Sequence, residues 1–214
     1  MKSVELVKTV GLVKTVGVHN PGDLDPTAIE LARFEVLARR RRTNLRIDVE
    51  RPVPVELVRR LCNVAQWAPN HHRSWPWRFA ALTGDARRRL GAVVAEDLRA
   101  AAAAPEKIAK AEGKYLRAPL ILAVAVGHGA GDGEERRVED RDAVAAGVQN
   151  LLLGATAAGL ASYWGSGAVL GLRGVRALCG FAPTDTLVAM IYLGYPLGDV
   201  AVPTRPDPIL HLVS

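Results

Sequence analysis

Residues 118–127 have the sequence APLILAVAVG, an unbroken apolar run between a proline and a glycine. Its length and its branched residues predict a β-strand that is buried on both faces. Residues 186–194, TLVAMIYLG, have the same character and predict a second buried strand. Strands of this kind must be covered on both sides, so these two would form the centre of a sheet with helices on its faces.

Between these strands lies segment 139–164, EDRDAVAAGVQNLLLGATAAGLASYW, which is rich in Ala and Gly. It is apolar on nearly every side, and this predicts one helix that is buried on all sides. Small residues also allow another backbone to approach closely. In a small domain, such a helix favours packing against a second subunit.

Four further elements are predicted around these strands. Apolar residues recur with helical spacing through 27–42, TAIELARFEVLARRRR. A second helix is predicted within 52–66, where Pro54 suits the first turn because its missing N–H costs nothing there. Residues 77–84, WRFAALTG, predict a strand ended by its glycine, and residues 85–102 have helical spacing after an initial aspartate.

The composition of the 214-residue chain is that of a globular protein, with 49% apolar and 23% charged residues. Its two cysteines, Cys62 and Cys179, are too few for a disulfide framework and predict a cytoplasmic protein. No apolar run reaches the roughly 18 residues of a membrane helix, so we expect no membrane association. The net charge of +6 is compatible with a nucleic acid and also with a pocket for an anionic ligand.

The hexapeptide LVKTVG occurs twice in succession, at 6–11 and 12–17. Two short copies cannot build a repeat architecture. We expect residues 1–25 to be a flexible leader and residues 26–214 to form the folded domain. Removal of residues 1–22 should then leave folding unchanged, because termini outside the packed core are commonly disordered.

Residues 67–79, WAPNHHRSWPWRF, hold four of the chain's eleven aromatic side chains. Such a stretch could form a metal site, a platform for nucleic-acid bases or the wall of a cofactor pocket. A metal site is disfavoured, because the adjacent His71 and His72 rarely point at one ion and no cysteine or acidic cluster lies nearby in the sequence. We therefore expect no metal here.

The run of four arginines at 39–42, followed by Arg46, has three possible interpretations. It can be a solvated charged face, a nucleic-acid patch or an anion site at the end of a helix. The planar guanidinium group binds phosphate through paired hydrogen bonds, and the hydroxyl of Thr43 could add another. The run by itself does not decide between them.

Several segments, in order along the chain, resemble the nitroreductase family of FMN-dependent oxidoreductases. They are RRTNLR (41–46), APNHHRSWPWRF (68–79), GVQNLLLGATAAGL (147–160), YWGSG (163–167) and YLGYP (192–196). The similarity extends over about residues 33–210 and is greatest to a subgroup of short bacterial NAD(P)H nitroreductases. It implies an α+β fold with a central mixed, mostly antiparallel sheet wrapped by helices, in an intertwined homodimer that holds FMN at its interface.

The resemblance also implies which residues bind the cofactor phosphate. Arg41, Arg42 and Thr43 match the motif that grips the FMN phosphate and the pyrimidine edge. Arg205 matches a basic position at the phosphate. In the family's chemistry a cation stabilises the negative charge of the reduced flavin, a role that Arg42 or Arg46 could play.

Two other segments would contact the flavin ring. Trp164, Gly165 and Ser166 match the turn that lies along the isoalloxazine ring. His71 matches a loop position that reaches the flavin from the partner subunit. The aromatic stretch is thus most simply a cofactor wall, in which Trp67 and Trp75 face the pocket while Trp77 and Phe79 belong to the core.

Four positions depart from the family pattern. Leu45 replaces a basic residue, and Gly165 replaces an arginine of the close subgroup. Arg73 stands where many members have Asn, and Trp75 where many have Gln. The last two are the candidate substrate-pocket residues, because they would change the size and charge of the space offered to an acceptor.

The resemblance implies a reaction as well. NADH or NADPH would deliver a hydride to the flavin, and a small electrophile such as a nitroaromatic or a quinone would then be reduced at the same place, in a ping-pong cycle. No side-chain acid or nucleophile is required. The alternatives are a flavin-binding protein of the same fold without turnover, or a basic nucleic-acid-binding protein. The latter does not explain the Trp-Gly-Ser-Gly turn, so we expect a small-molecule acceptor and no nucleic acid.

Overall fold

The computed structural model describes residues 26–213, so the predicted leader, residues 1–25, lies outside the described part of the chain. In this part, α-helices and β-strands follow one another as α1 (Pro26–Arg40), α2 (Val55–Ala65), β1 (Trp77–Thr83), α3 (Asp85–Ala100), α4 (Pro105–Lys114), β2 (Leu120–Val126), α5 (Glu134–Ala157), β3 (Ala161–Gly165), α6 (Arg173–Leu178) and β4 (Thr186–Gly194). Short 3-10 turns occupy His71–Arg73, Tyr115–Arg117 and Ala168–Gly171.

The strands form one antiparallel sheet in the order β1-β2-β4-β3. Every residue of β2 is buried, and its long pairing with β4 makes the centre of the sheet. Within residues 26–213, the parallel contribution is a single bridge between Thr43 and Ser162. The predicted α+β class is confirmed, as are the strands predicted at 118–127, 186–194 and 77–84.

Alternate residues of β2 face two different helical layers. Leu120, Leu122 and Val124 pack with α2 and α5 on one side. Ile121 and Ala123 pack with α3, α4 and α6 on the other. Burial of each leucine or isoleucine stabilises the fold by about 1.5–3 kcal/mol, so the fully apolar sequence of β2 follows from its place between two cores.

The prediction of one helix through 139–164 is wrong at its C-terminal end. Helix α5 ends at Ala157, and the chain reverses at Gly159, whose φ of 74° is a left-handed conformation that glycine adopts easily. The following Ser-Tyr-Trp residues belong to β3, since aromatic residues fit a pleated, half-buried surface. The helix is also not buried on all sides, because Ala146 is exposed.

The other predicted helices are confirmed as α1, α2 and α3. Helix α4 is absent from the sequence-based expectations, although Pro105 in its first turn is a common start signal. Within the described range, none of the helices has the length and the hydropathy to span a bilayer.

Candidate functional site

The arginine segment, residues 40–46, runs from the end of α1 across β3. The backbone N–H of Asn44 donates to the carbonyl of Ser162 at 3.0 Å, and the carbonyl of Arg46 accepts from the N–H of Leu197 at 2.8 Å. Thr43, whose side chain is exposed, forms the parallel bridge with Ser162. Main-chain hydrogen bonds therefore contribute to holding this segment in place.

Asn44 is a buried side chain that ties the arginine segment to the chain after β4. Its Nδ2 donates to the carbonyl of Gly198 at 3.2 Å, and its Oδ1 accepts from the backbone N–H of Arg46 at 2.8 Å. Arg46 packs over Gly198, where a β-carbon would stand 3.3 Å from the guanidinium nitrogens. Asn44 is not among the residues predicted from the sequence, although an asparagine that bonds to the backbone two residues ahead is a common turn signal.

Three guanidinium groups of the predicted phosphate site lie in one corner. Arg41 and Arg42 are half-buried. Burial is the main cause that lowers the pKa of Arg41, and the charges of Arg42 and Arg205 lower it further. Among residues 26–213 no salt bridge joins these three to an acid, and the Nε of Arg42 is buried without a hydrogen-bond partner. Such unpaired polar groups favour an anionic ligand.

A cavity of about 530 Å³ opens beside the arginine segment. Arg42 and Asn44 line one side, and residues from 156–161 and 196–202 line the rest. Its volume lies in the range of small-molecule sites. Asp199 also belongs to the wall, so the positive charge is concentrated on the arginine side.

The predicted flavin turn is the end of β3. Trp164 is half-buried and packs against the core formed with α2 and α5. A β-carbon at Gly165 would stand 3.0 Å from the carbonyl oxygen of Met190 and 3.1 Å from the ring of Tyr192. Ser166 is exposed and lines a separate cavity of about 260 Å³ beside α3 and α4. Trp164, Gly165 and Ser166 thus lie in three different environments. Close packing against β4 leaves little room for a side chain at position 165, which explains the glycine.

The aromatic loop, residues 67–75, carries two exposed tryptophans. Trp67 is 86% exposed and Trp75 is 58% exposed. Both line a cavity of about 460 Å³ together with Arg73 and Asn70. The next tryptophan, Trp77, is buried at the start of β1, which confirms its expected place in the core.

Side chains hold the backbone of the aromatic loop in a strained conformation. The φ angles of His72, Arg73 and Trp75 are 59°, 53° and 51°, and a non-glycine residue in this region costs on the order of 1–3 kcal/mol. The side chain of Asn70 spans the loop. Its Oδ1 accepts from the backbone N–H of Trp75 at 2.9 Å, and its Nδ2 donates to the Oγ of Ser74 at 2.9 Å.

The two histidines of the loop lie near α5. The Nδ1 of His71 is 2.9 Å from the Oε1 of Glu139, and the rings of His71 and His72 stack with centroids 3.7 Å apart. The possible ligand atoms of these three residues lie within 4.8 Å of one another. The expectation that no metal binds here stays a prediction.

Apart from the turn at 164–166, the predicted site residues fall into two groups within one chain. The arginine segment and Arg205 form one group, and the aromatic loop forms the other. In the described part of the chain, no hydrogen bond, ion pair or ring contact joins the aromatic loop to the arginine segment. The two groups are therefore separate within one chain.

The fold is that of an α+β protein with a cluster of arginine side chains at one corner, and its family follows from its similarity to known proteins. The model of the nitroreductase family matches residues 38–195. Over 146 residues the chain is 31% identical to the Escherichia coli (strain K12) protein named "Putative NAD(P)H nitroreductase YdjA", a match that covers 68% of this chain and 79% of that one. The protein therefore belongs to the nitroreductase family, whose members are oxidoreductases, and the resemblance drawn from the sequence is confirmed.

Solved structures confirm the nitroreductase-like fold. A nitroreductase-like family protein from Bacillus cereus superposes with a TM-score of 0.69 at 25% identity, over 81% of this chain and 90% of that one. A relative from Desulfovibrio desulfuricans, solved in complex with FMN, gives a TM-score of 0.61 at 25% identity, over 80% of this chain and 91% of that one.

Proposed function

We propose that the protein is an FMN-dependent oxidoreductase that takes a hydride from NADH or NADPH and reduces a small electrophile, such as a nitroaromatic or a quinone, by a ping-pong mechanism. The observation that carries the proposal is the cationic corner, where the half-buried Arg41 and Arg42 lie close to Arg205. Family membership supplies the reaction class. The two free cysteines, Cys62 and Cys179, fit a reducing, cytoplasmic location.

The residues present fit the phosphate of FMN. The guanidinium of Arg42 on the cavity wall and the neighbouring guanidinium of Arg41 supply positive charge and N–H donors of the kind that phosphate accepts. Arg205 adds a third positive charge from the C-terminal segment. We assign the phosphate to these arginines and the pyrimidine edge to the exposed hydroxyl of Thr43.

FMN, when bound, supplies the redox chemistry by accepting a hydride and passing electrons on. The chain binds and orients it and provides charge. Arg46, held over the backbone of Gly198, and Arg42, on the cavity wall, supply positive charge that offsets the negative charge of reduction. The turn at 164–166 is assigned to the flavin ring.

The aromatic loop is the proposed acceptor side. Trp67 and Trp75 offer flat apolar faces, and Arg73 adds a cation to the same cavity. This combination suits a planar, electron-poor aromatic molecule, because such rings stack on tryptophan and their polar substituents attract a cation. His71, on the same loop, is assigned to the flavin bound by the partner subunit.

A homodimer would bring the two groups of residues together. Helix α1 exposes Leu31 (60%) and Phe34 (55%), and the C-terminal segment exposes Ile209 (85%) and Val213 (92%). Large exposed apolar side chains of this kind mark interaction surfaces. The apolar half of α5 is already buried within one chain, so this helix no longer gives a reason to expect a second subunit. The exposed apolar residues of α1 and of the C-terminal segment give that reason instead.

Light scattering tests the dimer. We expect twice the chain mass at micromolar concentration, with an interface of the obligate class that buries roughly 2,000 Å² or more. A Phe34→Glu variant should weaken association, since it places a charge in an apolar surface. A monomer mass for the parent protein would contradict the assembly and leave the aromatic loop without a flavin to contact.

The absorption spectrum of the purified protein, followed by anaerobic titration with NADH and NADPH, tests the function. We expect a yellow protein that at least one of the two nucleotides bleaches. Because both substrates must use the same place, reciprocal rate plots should give parallel lines. A fully flavin-loaded protein that neither nucleotide bleaches would instead support a flavin-binding protein without turnover.

A further inference from the structure

Asp140 of α5 is a buried carboxylate with 1% of its surface exposed. Such a group is costly unless it is paired and hydrogen-bonded. Its Oδ2 accepts from the Nε of Arg136, one helical turn earlier, at 3.2 Å. Its Oδ1 accepts from the hydroxyl of Ser74 in the aromatic loop. The buried charge therefore connects the helix to the loop.

A directed chain of hydrogen bonds leads from this carboxylate into the loop. Ser74 donates its only proton to Asp140, so its oxygen is free to accept from the Nδ2 of Asn70 at 2.9 Å. The Oδ1 of Asn70 in turn accepts from the backbone N–H of Trp75 at 2.9 Å. Every donor points towards the charged end, an arrangement in which the bonds strengthen one another.

The chain of bonds ends where the backbone is most strained. His72, Arg73 and Trp75 all have positive φ angles, and residues 67–79 contain no glycine that would make this conformation easy. A strained backbone conformation persists only where several surrounding contacts hold it in place. Of the groups that bond to this loop from α5, Asp140 is buried, whereas Glu139 makes a more exposed contact with His71.

We infer that Asp140 is a positioning residue. Through Ser74 and Asn70 it holds Arg73 and Trp75 in the orientation that shapes the 460 Å³ cavity, and it thereby sets which electrophiles the site accepts. The acceptor part of this inference rests on the proposed function. The conformational part rests on the geometry of the loop alone, so the two can fail separately.

Hydrogen–deuterium exchange of residues 69–75 in the purified full-length protein tests the conformational part. Asp140→Asn and Ser74→Ala should raise the exchange rate of the Trp75 amide by about tenfold or more, as expected when a charge-assisted hydrogen bond is lost. Ser74→Thr keeps the hydroxyl and should stay near the parent. Asp142→Asn removes an exposed carboxylate of the same helix and is the matched control.

Trypsin cleavage after Arg73 gives a second measure of the same opening, and it should accelerate in the same two variants. If Asp140→Asn does not fold, Ser74→Ala still breaks the chain of bonds at a half-buried residue. Exchange and cleavage rates equal to those of the parent in Ser74→Ala would overturn the inference.

The two half-reactions, measured separately, test the acceptor part. In Ser74→Ala and Asp140→Asn, bleaching of the bound flavin by NAD(P)H should stay within about twofold of the parent, while KM for a nitroaromatic acceptor rises about tenfold. Equal slowing of both half-reactions would show a merely structural role and overturn the inference. A parent protein that no nucleotide bleaches would refute the proposed function, and the exchange measurement would still test Asp140.

Discussion

The arginine segment and the aromatic loop are held in place by different parts of the chain. Main-chain hydrogen bonds to Ser162 and Leu197, together with the side chain of Asn44, hold the arginine segment in place. The aromatic loop depends on the side chains of Asn70, Ser74 and Asp140. Replacement of Arg41 or Arg42 should therefore change mainly binding, whereas a substitution at Asn70, Ser74 or Asp140 can change conformation as well.

The largest effect is expected in the arginine segment. Arg41→Ala and Arg42→Ala should each weaken FMN binding by about 1.5–3 kcal/mol, the contribution of a charge-assisted hydrogen bond, which is about ten- to a hundredfold in affinity. Flavin fluorescence titration measures the affinity, and thermal unfolding of the flavin-free protein should be nearly unchanged because the main-chain bonds and the Asn44 side chain remain. Arg60→Ala, an exposed arginine on α2, is the control.

Two results would contradict this prediction for the arginine segment. Unchanged FMN affinity in both variants would mean that the arginine run is a solvated charged face and not the phosphate site. A large fall in the melting temperature of the flavin-free protein would show that the arginine side chains also hold the segment.

The aromatic loop should give the next largest effect. Trp75→Gln removes a large flat surface from the 460 Å³ cavity, so we expect acceptor selectivity to change by about tenfold, within the roughly 1–3 kcal/mol that pocket contacts contribute to discrimination. Steady-state kcat/KM for a small and a bulky nitroaromatic measures this. Equal losses with both acceptors, or an equal change in nicotinamide oxidation, would mean that Trp75 does not select the acceptor.

Arg205 should have a smaller effect than its two partners. It is exposed, and exposed charges are weakened by water and screened by salt. We expect Arg205→Ala to lower FMN affinity about two- to fivefold at low ionic strength and less at high salt. A loss as large as that in Arg42→Ala, with no salt dependence, would place Arg205 in direct, desolvated contact with the phosphate.

The smallest effect is expected from Glu139→Gln. Its contact with the exposed His71 joins the same helix and loop as Asp140, yet exposed ion pairs contribute only about 0–1 kcal/mol. Loop exchange and acceptor KM should stay within about twofold of the parent. If Glu139→Gln opened the loop as far as Asp140→Asn does, burial would not explain the strength of the contact between Asp140 and Ser74.

The sequence predicts the centre of the sheet well because β2 is buried on both faces, and such strands are apolar throughout. It fails at the end of α5, where Gly147, Gly154 and Gly159 are all candidate stop signals. Among them, Gly159 is the one with a positive φ. Packing of the following aromatic residues against β4 decides the boundary, and this long-range contact leaves no local pattern in the sequence.

At the site, motif resemblance identifies Arg41 and Arg42 but not Asp140. The run EDRD at 139–142 contains three acids, and their spacing alone does not say which one faces the protein interior. Which acid is buried depends on the rotation of α5 about its own axis relative to the sheet. It also depends on the position of Ser74 in a strained loop. Both are products of the complete fold, so a buried partner of this kind is found only from the structure.

The order of the strands also governs how the chain can fold as it is synthesised. The central pair joins β2 to β4, although α5, β3 and α6 lie between them in the chain. Contacts between such distant segments form late, because the intervening chain must first be ordered. The most apolar strand can pair early only with β1 and keeps an open edge until the ribosome has passed Gly194. During that interval the open edge of β2 can pair with another nascent chain, so we expect the rate of translation to affect the yield of folded protein.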